Sequence, residues 1–501
     1  MVLLDDGRVL YWGGVEAGEH DQVFFLEYPH VADVGILAPP YDAASAQMMV
    51  RPEEMGDLFC AGQTILADGR VLTAGGSEWK TLGEDMTGFV DGEKDTWTFD
   101  PATSNWTKMA DMSVQRWYPT VMTTSEGNAL AASGIDHLPQ PQTLNTKLEA
   151  FDGEEWSDVG ADNLLPMYPR LFTVPSGPMK GDIFYETDST LWGPFGEHPL
   201  EATWSLQQVL DTDTNTWSVV GPSVFGARQH ANTVMLPLDP ADDYTARLVT
   251  LGGSIGRSIA GTNLVEMTTL GADGVSHDVL PPLAHPRWFP NTVILPDGKL
   301  LTTGGGLWDN VYAHGQRSAE VLVAESFDPA TGAWTQMAPM TVGRTYHSTS
   351  ILLPDGRVLV GGHVPLPVPW TAIRDNVPFE SQIAETRFEI YEPPYLHYGV
   401  ARPTITEAPE AIAYGESFTI GSPDADQVVD AMLIHPGATT HAWDVNERAV
   451  MLPVQARGAG TLTFTAPPDG DVAMPGPWML FVRIQSEHGV VPSVAKFVSL
   501  G

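Results

Sequence analysis

A phenol and an imidazole stand side by side at Tyr346-His347, near the head of a stretch that runs from Arg344 through Asp355-Gly356 to Gly361-Gly362. The single cysteine of the chain is Cys60, and a further tyrosine stands in Arg116-Trp117-Tyr118-Pro119. These side chains share a phase. Cys60, Tyr118, Phe289 and His347 each lie nine residues before a turn glycine: Gly69, Gly127, Gly298 and Gly356 respectively. His230 falls in the same phase when Pro237 is matched with Pro296 and Pro354. Phenolates and imidazoles are the donors that copper(II) favours, in tetragonal nitrogen and oxygen ligation. A bound cation also favours deprotonation of a tyrosine, whose free pKa is about 10. Taken singly, each residue has an ordinary structural reading. A lone cysteine is usually a small buried hydrophobe, and Phe289 shows that an apolar ring is accepted at this phase. A cysteine, a tyrosine and a histidine at one phase, with a second tyrosine beside the histidine, are harder to explain by packing alone.

The elements that carry them are hairpins: a strand, a tight Asp-Gly turn, a second strand and a Gly-Gly stop. Copies begin at Val2, Thr64, Thr120, Leu171 (degenerate), Asn232, Asn291 and Arg344. The turn glycines give the period: Gly69 to Gly127 and Gly298 to Gly356 each span 58 residues, and Gly127 to Gly298 spans three times 57. That is a kelch-like repeat, slightly longer than the usual ~50 residues. An outer strand pair precedes a tryptophan in several copies, as in Phe99 to Trp106, Leu210 to Trp217 and Phe327 to Trp334. Seven copies of four strands predict an all-β fold: a seven-bladed kelch-type β-propeller over residues 1–398. The phase-matched residues would then form a ring around the propeller axis, with Cys60 and Tyr118 on consecutive blades. Long insertions are expected at 77–96, 182–206, 306–320 and 363–386. From 399 to 501 the pattern changes to short strands between Pro/Gly turns, among them Phe418-Thr419-Ile420, Ala431 to Ile434 and Trp478 to Val482. This predicts a C-terminal Ig-like β-sandwich.

Composition narrows the function. The formal net charge is −38, from 63 acidic and 25 basic residues. Nucleic-acid binding needs a basic face, so it is excluded as a reading, and acidic substrates are disfavoured. No apolar run approaches the ~18 residues of a membrane span. One cysteine permits no intrachain disulfide. Met1-Val2-Leu3-Leu4-Asp5-Asp6-Gly7 lacks the basic start and apolar run of a signal peptide. It opens inside a hairpin copy, so the expectation is a secreted or cell-surface monomer whose upstream residues are not in this chain.

The motifs resemble the galactose oxidase/glyoxal oxidase family of copper radical oxidases. They are Phe59-Cys60-Ala61-Gly62, Arg116 to Thr120, Arg344-Thr345-Tyr346-His347-Ser348, Pro393-Pro394-Tyr395-Leu396, Arg402 to Thr406, and Thr440-His441 with Arg448 seven residues on. The resemblance covers nearly the whole chain. It implies a thioether cross-link between Cys60 and Tyr118, with Tyr118 an equatorial copper ligand and radical carrier. It implies Tyr346 as axial ligand and general base, and His347 and His441 as imidazole ligands. His441 would reach the site on a loop of the sandwich; His435 is the competing candidate. The implied reaction is a two-electron oxidation by O2 that yields H2O2. Galactose oxidase has a stacking tryptophan after the two glycines that follow its radical tyrosine. Here Ser133-Gly134 is followed by Ile135-Asp136-His137. His137 is therefore the candidate second-sphere residue, and the similarity is closer to glyoxal oxidase, with small aldehydes or alcohols as substrates. Two other readings stay open: a non-enzymatic kelch propeller that binds a protein or glycan, and a relative that binds copper without turnover.

Overall fold

A computed structural model describes residues 1–12, 34–42, 44–49, 52, 54–80, 89–136, 144–189, 204–256, 258–308, 319–362 and 387–501. Its elements are strands with a few short 3-10 turns. Among the described residues seven mainly antiparallel sheets follow one another along the chain, and each of the first six shows at least four strands. Their first strands are Val2–Leu3, Gly62–Ile65, Thr120–Thr123, Arg170–Thr173, Arg228–Met235, Asn291–Ile294 and Thr349–Leu352. These first strands are buried throughout, whereas fourth strands such as Asn105–Lys108 and Ala333–Pro339 are largely exposed. First strands of successive sheets also pack side by side. This is the propeller of the repeat reading, with the phase-matched residues at its inner edge. Residues 77–80 and 89–92 of the first expected insertion form a small two-stranded hairpin. The expected insertion at 182–206 starts too early. Ile183–Glu186 is the second strand of the fourth sheet, and Asp188–Ser189 pairs in parallel with Arg228 and Gln229 of the fifth. The degenerate turn of that copy hid the strand from the repeat pattern. The insertion at 363–386 and His137 lie outside the described residues.

Each hairpin turns the same way because the same residue types stand at its tip. Gly69, Gly127, Gly298 and Gly356 all have φ between +83° and +89°, where a side chain is strained. Further out, Phe99 faces Trp106, Phe151 faces Trp156 and Phe327 faces Trp334 across the outer strand pairs. Such aromatic pairs fix register without needing both faces buried.

A buried arginine locks the inner edge. Arg116, Arg228 and Arg287 each stand two residues before a ring position. They pair with Glu149, Glu266 and Glu325 at 2.8, 2.6 and 2.8 Å. Other N–H groups of the three donate to backbone carbonyls of the same blade, including Ser133, Gly252 and Gly304. Arg344 uses carbonyls of Gly362 and Arg387 in the same manner. Desolvation lowers the Arg116 and Arg287 pKa values, and the glutamates oppose that shift. The planar five-donor fork explains why arginine rather than lysine occupies these places.

The sandwich closes one face of the propeller. Its larger sheet centres on Val428–Ile434 and Gly476–Ser486; the smaller holds Ser417–Gly421, Ala456–Gly458 and Thr461–Thr465. Side chains alternate along the central strands. Ala431, Leu433, Leu480 and Val482 share a core with Phe418 and Phe464 of the smaller sheet. Met432, Ile434, Met479 and Phe481 instead share a core with propeller residues such as Ile294, Ile351 and Leu359. Both faces are covered, which accounts for the unbroken apolar run Trp478-Met479-Leu480-Phe481-Val482.

Breaking one inner-edge ion pair leaves a buried charge without its partner, which costs about 3–5 kcal/mol. Glu325→Leu is therefore expected to lower the urea unfolding midpoint strongly. A change below about 1 kcal/mol would show that Arg287 is held by its carbonyl contacts alone.

Candidate metal centre

Every phase-matched residue adopts an uncommon backbone. Cys60, Tyr118, His230, Phe289 and His347 have φ of 62°, 64°, 54°, 62° and 64°, and Tyr168 of the fourth sheet joins them at 46°. Non-glycine residues avoid this region, and holding one there costs of order 1–3 kcal/mol. Blade-to-blade hydrogen bonds hold it. The amide of Tyr118 donates to Cys60 O, that of Tyr168 to Tyr118 O and that of Phe289 to His230 O, each at 3.0 Å. Gly362 (φ +70°) completes the seventh copy: a Cβ there would collide with the carbonyl of His347.

The fourth contribution comes from the sandwich. The strands Val428–Ile434 and Ala449–Pro453 are joined by a long connection that contains its own small hairpin, Thr439–Thr440 against Trp443–Asp444. His441 and Ala442 form its tip, with φ of 46° and 60°. Positive φ at both central residues is the signature of a type I′ turn, which normally calls for Asn-Gly. A histidine and an alanine sit there because the propeller grips the arm. Asn446 accepts from the Thr64 hydroxyl and the Ile65 amide, both at 3.1 Å, and donates to the Thr64 and Thr123 hydroxyls. Glu447 accepts the Ile294 amide, and Asn232 donates to the Ala442 carbonyl. Arg170 donates to the His441 carbonyl at 3.4 Å and lies over the Trp443 ring at 4.8 Å. First strands of five sheets thus contribute to holding the arm.

The arm brings His441 to the ring. Its Nε2 lies 3.9 Å from Cys60 Sγ, and the donor atoms of Cys60, His347 and His441 all fall within 4.8 Å of one another. Tyr118 Oη is 2.6 Å from Tyr346 Oη and 3.5 Å from His347 Nε2. The His347 and His441 rings cross at 87° with centroids 4.6 Å apart, and Phe59 packs edge-on against His347 at 4.9 Å. The Thr440 hydroxyl is 2.8 Å from His441 Nδ1. If Nδ1–H donates to it, Nε2 is left with its lone pair toward the thiol and the phenols. Cys60, Tyr118 and His441 are each under 5% exposed. Burial, followed by the neighbouring His347, pushes the His441 pKa well below its ordinary value, so it is held neutral.

Thus Cys60, Tyr118, Tyr346, His347 and His441 come together. His435 does not join them. It is buried against Trp478 with Nδ1 on the Pro436 carbonyl, and burial lowers its pKa to about 4. His230 lines the far side, its ring 6.1 Å from Tyr346 and 5.0 Å from Trp288. Tyr168 escaped the sequence reading, although Tyr168-Pro169 repeats Tyr118-Pro119 and would have signalled it. Asn446 and Asn232 carried no signal, because what makes them matter is contact with a distant loop.

The donor set suits a small, borderline cation: two imidazoles, two phenols and a thiol, in a pocket walled by aromatic rings. Removing the arm's main anchor tests its assembly. Asn446→Leu leaves the Ile65 amide without its side-chain acceptor, at a cost of about 1–3 kcal/mol, and takes one partner from the Thr64 and Thr123 hydroxyls, which keep each other. It is expected to lower the thermal midpoint and weaken copper(II) binding together. Unchanged binding would show that the His441 turn stands without this anchor.

Comparison with known proteins bears on all of this. Residues 402–500 match the model of the galactose oxidase-like, early set domain. A WSC domain-containing protein of Arthroderma benhamiae is 29% identical over 475 residues, 89% of this chain and 46% of that protein. A galactose oxidase of Gibberella zeae is 26% identical over 464 residues, 88% of this chain and 60% of its own length. The aldehyde oxidase GLOX of Vitis pseudoreticulata is 27% identical over 486 residues, 90% and 83% of the two chains. The chain thus spans about half the length of the first relatives it matches. The solved structure of a fungal alcohol oxidase of the AA5 family, in complex with copper, superimposes with a TM-score of 0.75 at 23% identity. It covers all of this chain and 96% of that one, and so has the same fold.

Proposed function

We propose that this relative of the galactose oxidases and GLOX aldehyde oxidases is itself a copper radical oxidase, acting on a small aldehyde or alcohol. The carrying observation is the convergence of two phenols, two imidazoles and the only cysteine on one buried point, with Tyr118 Oη 2.6 Å from Tyr346 Oη. Tyr118, Tyr346, His347 and His441 would hold the copper. Copper bound there supplies a one-electron couple and a positive charge that favours deprotonated phenols.

The protein's own residues would do the rest. Cys60 and Tyr118 would join once, by loss of the thiol hydrogen and one ring hydrogen. A carbon–sulfur bond forms, and O2 takes both electrons and both protons as H2O2. The joined ring then cycles between an oxidised and a reduced form. In turnover, Tyr346 Oη accepts the hydroxyl proton of the substrate, and the oxidised Tyr118 ring accepts a hydrogen atom from the adjacent carbon. With the second electron taken by the one-electron couple that copper would supply, an alcohol leaves as its aldehyde and an aldehyde hydrate as its acid, and O2 takes up the two electrons and two protons as H2O2. Holding these groups within a few ångströms makes the transfers intramolecular. The walls set by Phe59, Trp117, Tyr168 and Phe289 bury the centre and exclude water from the oxidised ring. A second-sphere role for His137 and an exported, monomeric setting belong to the same reading.

The test is a peptide mass map after copper(II) loading in air, which is expected to show the Cys60 and Tyr118 peptides joined with loss of two hydrogens. Separate peptides despite bound copper would sink the oxidase reading in favour of a binding scaffold. With the cross-link formed, Tyr346→Phe is expected to lower kcat for H2O2 production by about 10²–10⁴, the range for loss of a general base. A fall of less than threefold would remove Tyr346 from the proton step.

A further inference from the structure

Tyr168 occupies the fourth position of the ring yet supplies no ligand atom to the set above. It is 1% exposed, and its left-handed backbone is the same as that of Tyr118. Three groups of the centre meet on it. Its amide donates to Tyr118 O at 3.0 Å. Its hydroxyl donates to Ala61 O at 2.9 Å, and Ala61 directly follows Cys60. Its ring lies 4.9 Å from the Tyr118 ring and 4.8 Å from the His441 ring. Thr440, on the same arm, contacts His441 Nδ1 at 2.8 Å.

We infer that Tyr168 is a positioning residue: its hydroxyl holds the Cys60 turn and its ring packs against His441, setting both the approach of Cys60 to Tyr118 and the plane of His441. This deepens the copper radical reading and rests on it. The physical reason is the shape of the assembly. Cys60 and Tyr118 belong to neighbouring blades and His441 to the sandwich, so nothing in the local sequence holds the three in mutual register. Each sits on a strained turn that relaxes unless held. A fully buried phenol, desolvated on its ring and bonded at its hydroxyl, is rigid enough to hold all three. It also offers an aromatic face to Tyr118 from the fourth blade. Outer contacts that orient metal ligands typically carry 10–100-fold in affinity or activity.

The experiment compares the full chain with Tyr168→Phe, Tyr168→Leu and Tyr168→Met. Two quantities are read: the copper(II) dissociation constant of the freshly made, uncross-linked protein, by competition with a chelator, and the half-time of Cys60–Tyr118 joining in air, by peptide mass. Tyr168→Phe keeps the ring and loses only the hydroxyl. It is expected to cross-link about tenfold more slowly, with thermal unfolding near that of the parent, and Tyr168→Leu, which also loses the ring, is expected to bind copper about tenfold more weakly as well. If Tyr168→Phe matches the parent in both quantities and only Tyr168→Leu is impaired, the ring merely fills space and the inference is overturned. Should Tyr168→Phe not fold, Tyr168→Met, which fills the site without a hydroxyl, reads the same contact, with about tenfold slower joining expected and an unchanged half-time refuting it. If the parent binds copper but never cross-links, the oxidase reading fails. The copper constant of Tyr168→Leu against that of the parent then still decides whether the ring positions His441.

Discussion

One backbone bond sets the geometry of the whole centre: the amide of Tyr118 on the carbonyl of Cys60, repeated from Tyr168 to Tyr118 and from Phe289 to His230. It links residues of neighbouring blades just before their inner strands begin. The bond requires the donor to leave the strand direction, and a left-handed φ provides that. A side chain on such a turn leans across to the next blade instead of lying in its own sheet. The strain is small per residue but recurs around the ring, and it persists because the inner edge is over-determined. Arginine–glutamate pairs lie behind it, Gly-Gly stops beside it, and the sandwich arm fills the middle.

The electrostatics divide into two zones. The chain carries −38 charges in total, yet the converging donors are phenols, imidazoles and a thiol, none of them a carboxylate. An acidic exterior keeps the protein soluble without contributing to the site. The buried charges near the ring are compensated arginines whose role is to hold carbonyls in place. Of the site's groups, a bound cation favours the anionic form of the phenols and the thiol, while the imidazoles ligate uncharged. Burial of His441 works in the same direction by keeping its imidazole unprotonated.

The two domains depend on each other more than a tandem arrangement requires. The central strands of the sandwich divide their side chains between two cores, and both reach into the propeller, one at Phe172 and Met235 and the other at Ile294 and Ile351. The arm leaves exactly one of these strands' ends, at Ile434, and returns at Ala449. The position of His441 is therefore a consequence of how two hydrophobic cores meet. Asn446 then anchors the arm to the propeller, and Asn232 and Arg170 bond to the arm from the propeller side.

Much of this could be read from residue order. The 58-residue spacing of turn glycines gave the blades, because only glycine accepts φ near +85° at the hairpin tip. The nine-residue offset from those glycines placed Cys60, Tyr118, Phe289 and His347 on one level, because a strand has a fixed rise and phase. What residue order left open belongs to tertiary contact. Tyr168 stood in a degenerate copy, and the second strand of that copy, Ile183–Glu186, was read as the start of an insertion. The choice between His441 and His435 turns on a two-residue turn that local propensity disfavours for His-Ala and that five inner strands stabilise. The sequence by itself determined the repeat, the ring and the kinds of donor atom on it. Only the tertiary structure decided which donors meet, since the distances between them are set by blade-to-blade and domain-to-domain bonds that no local pattern encodes.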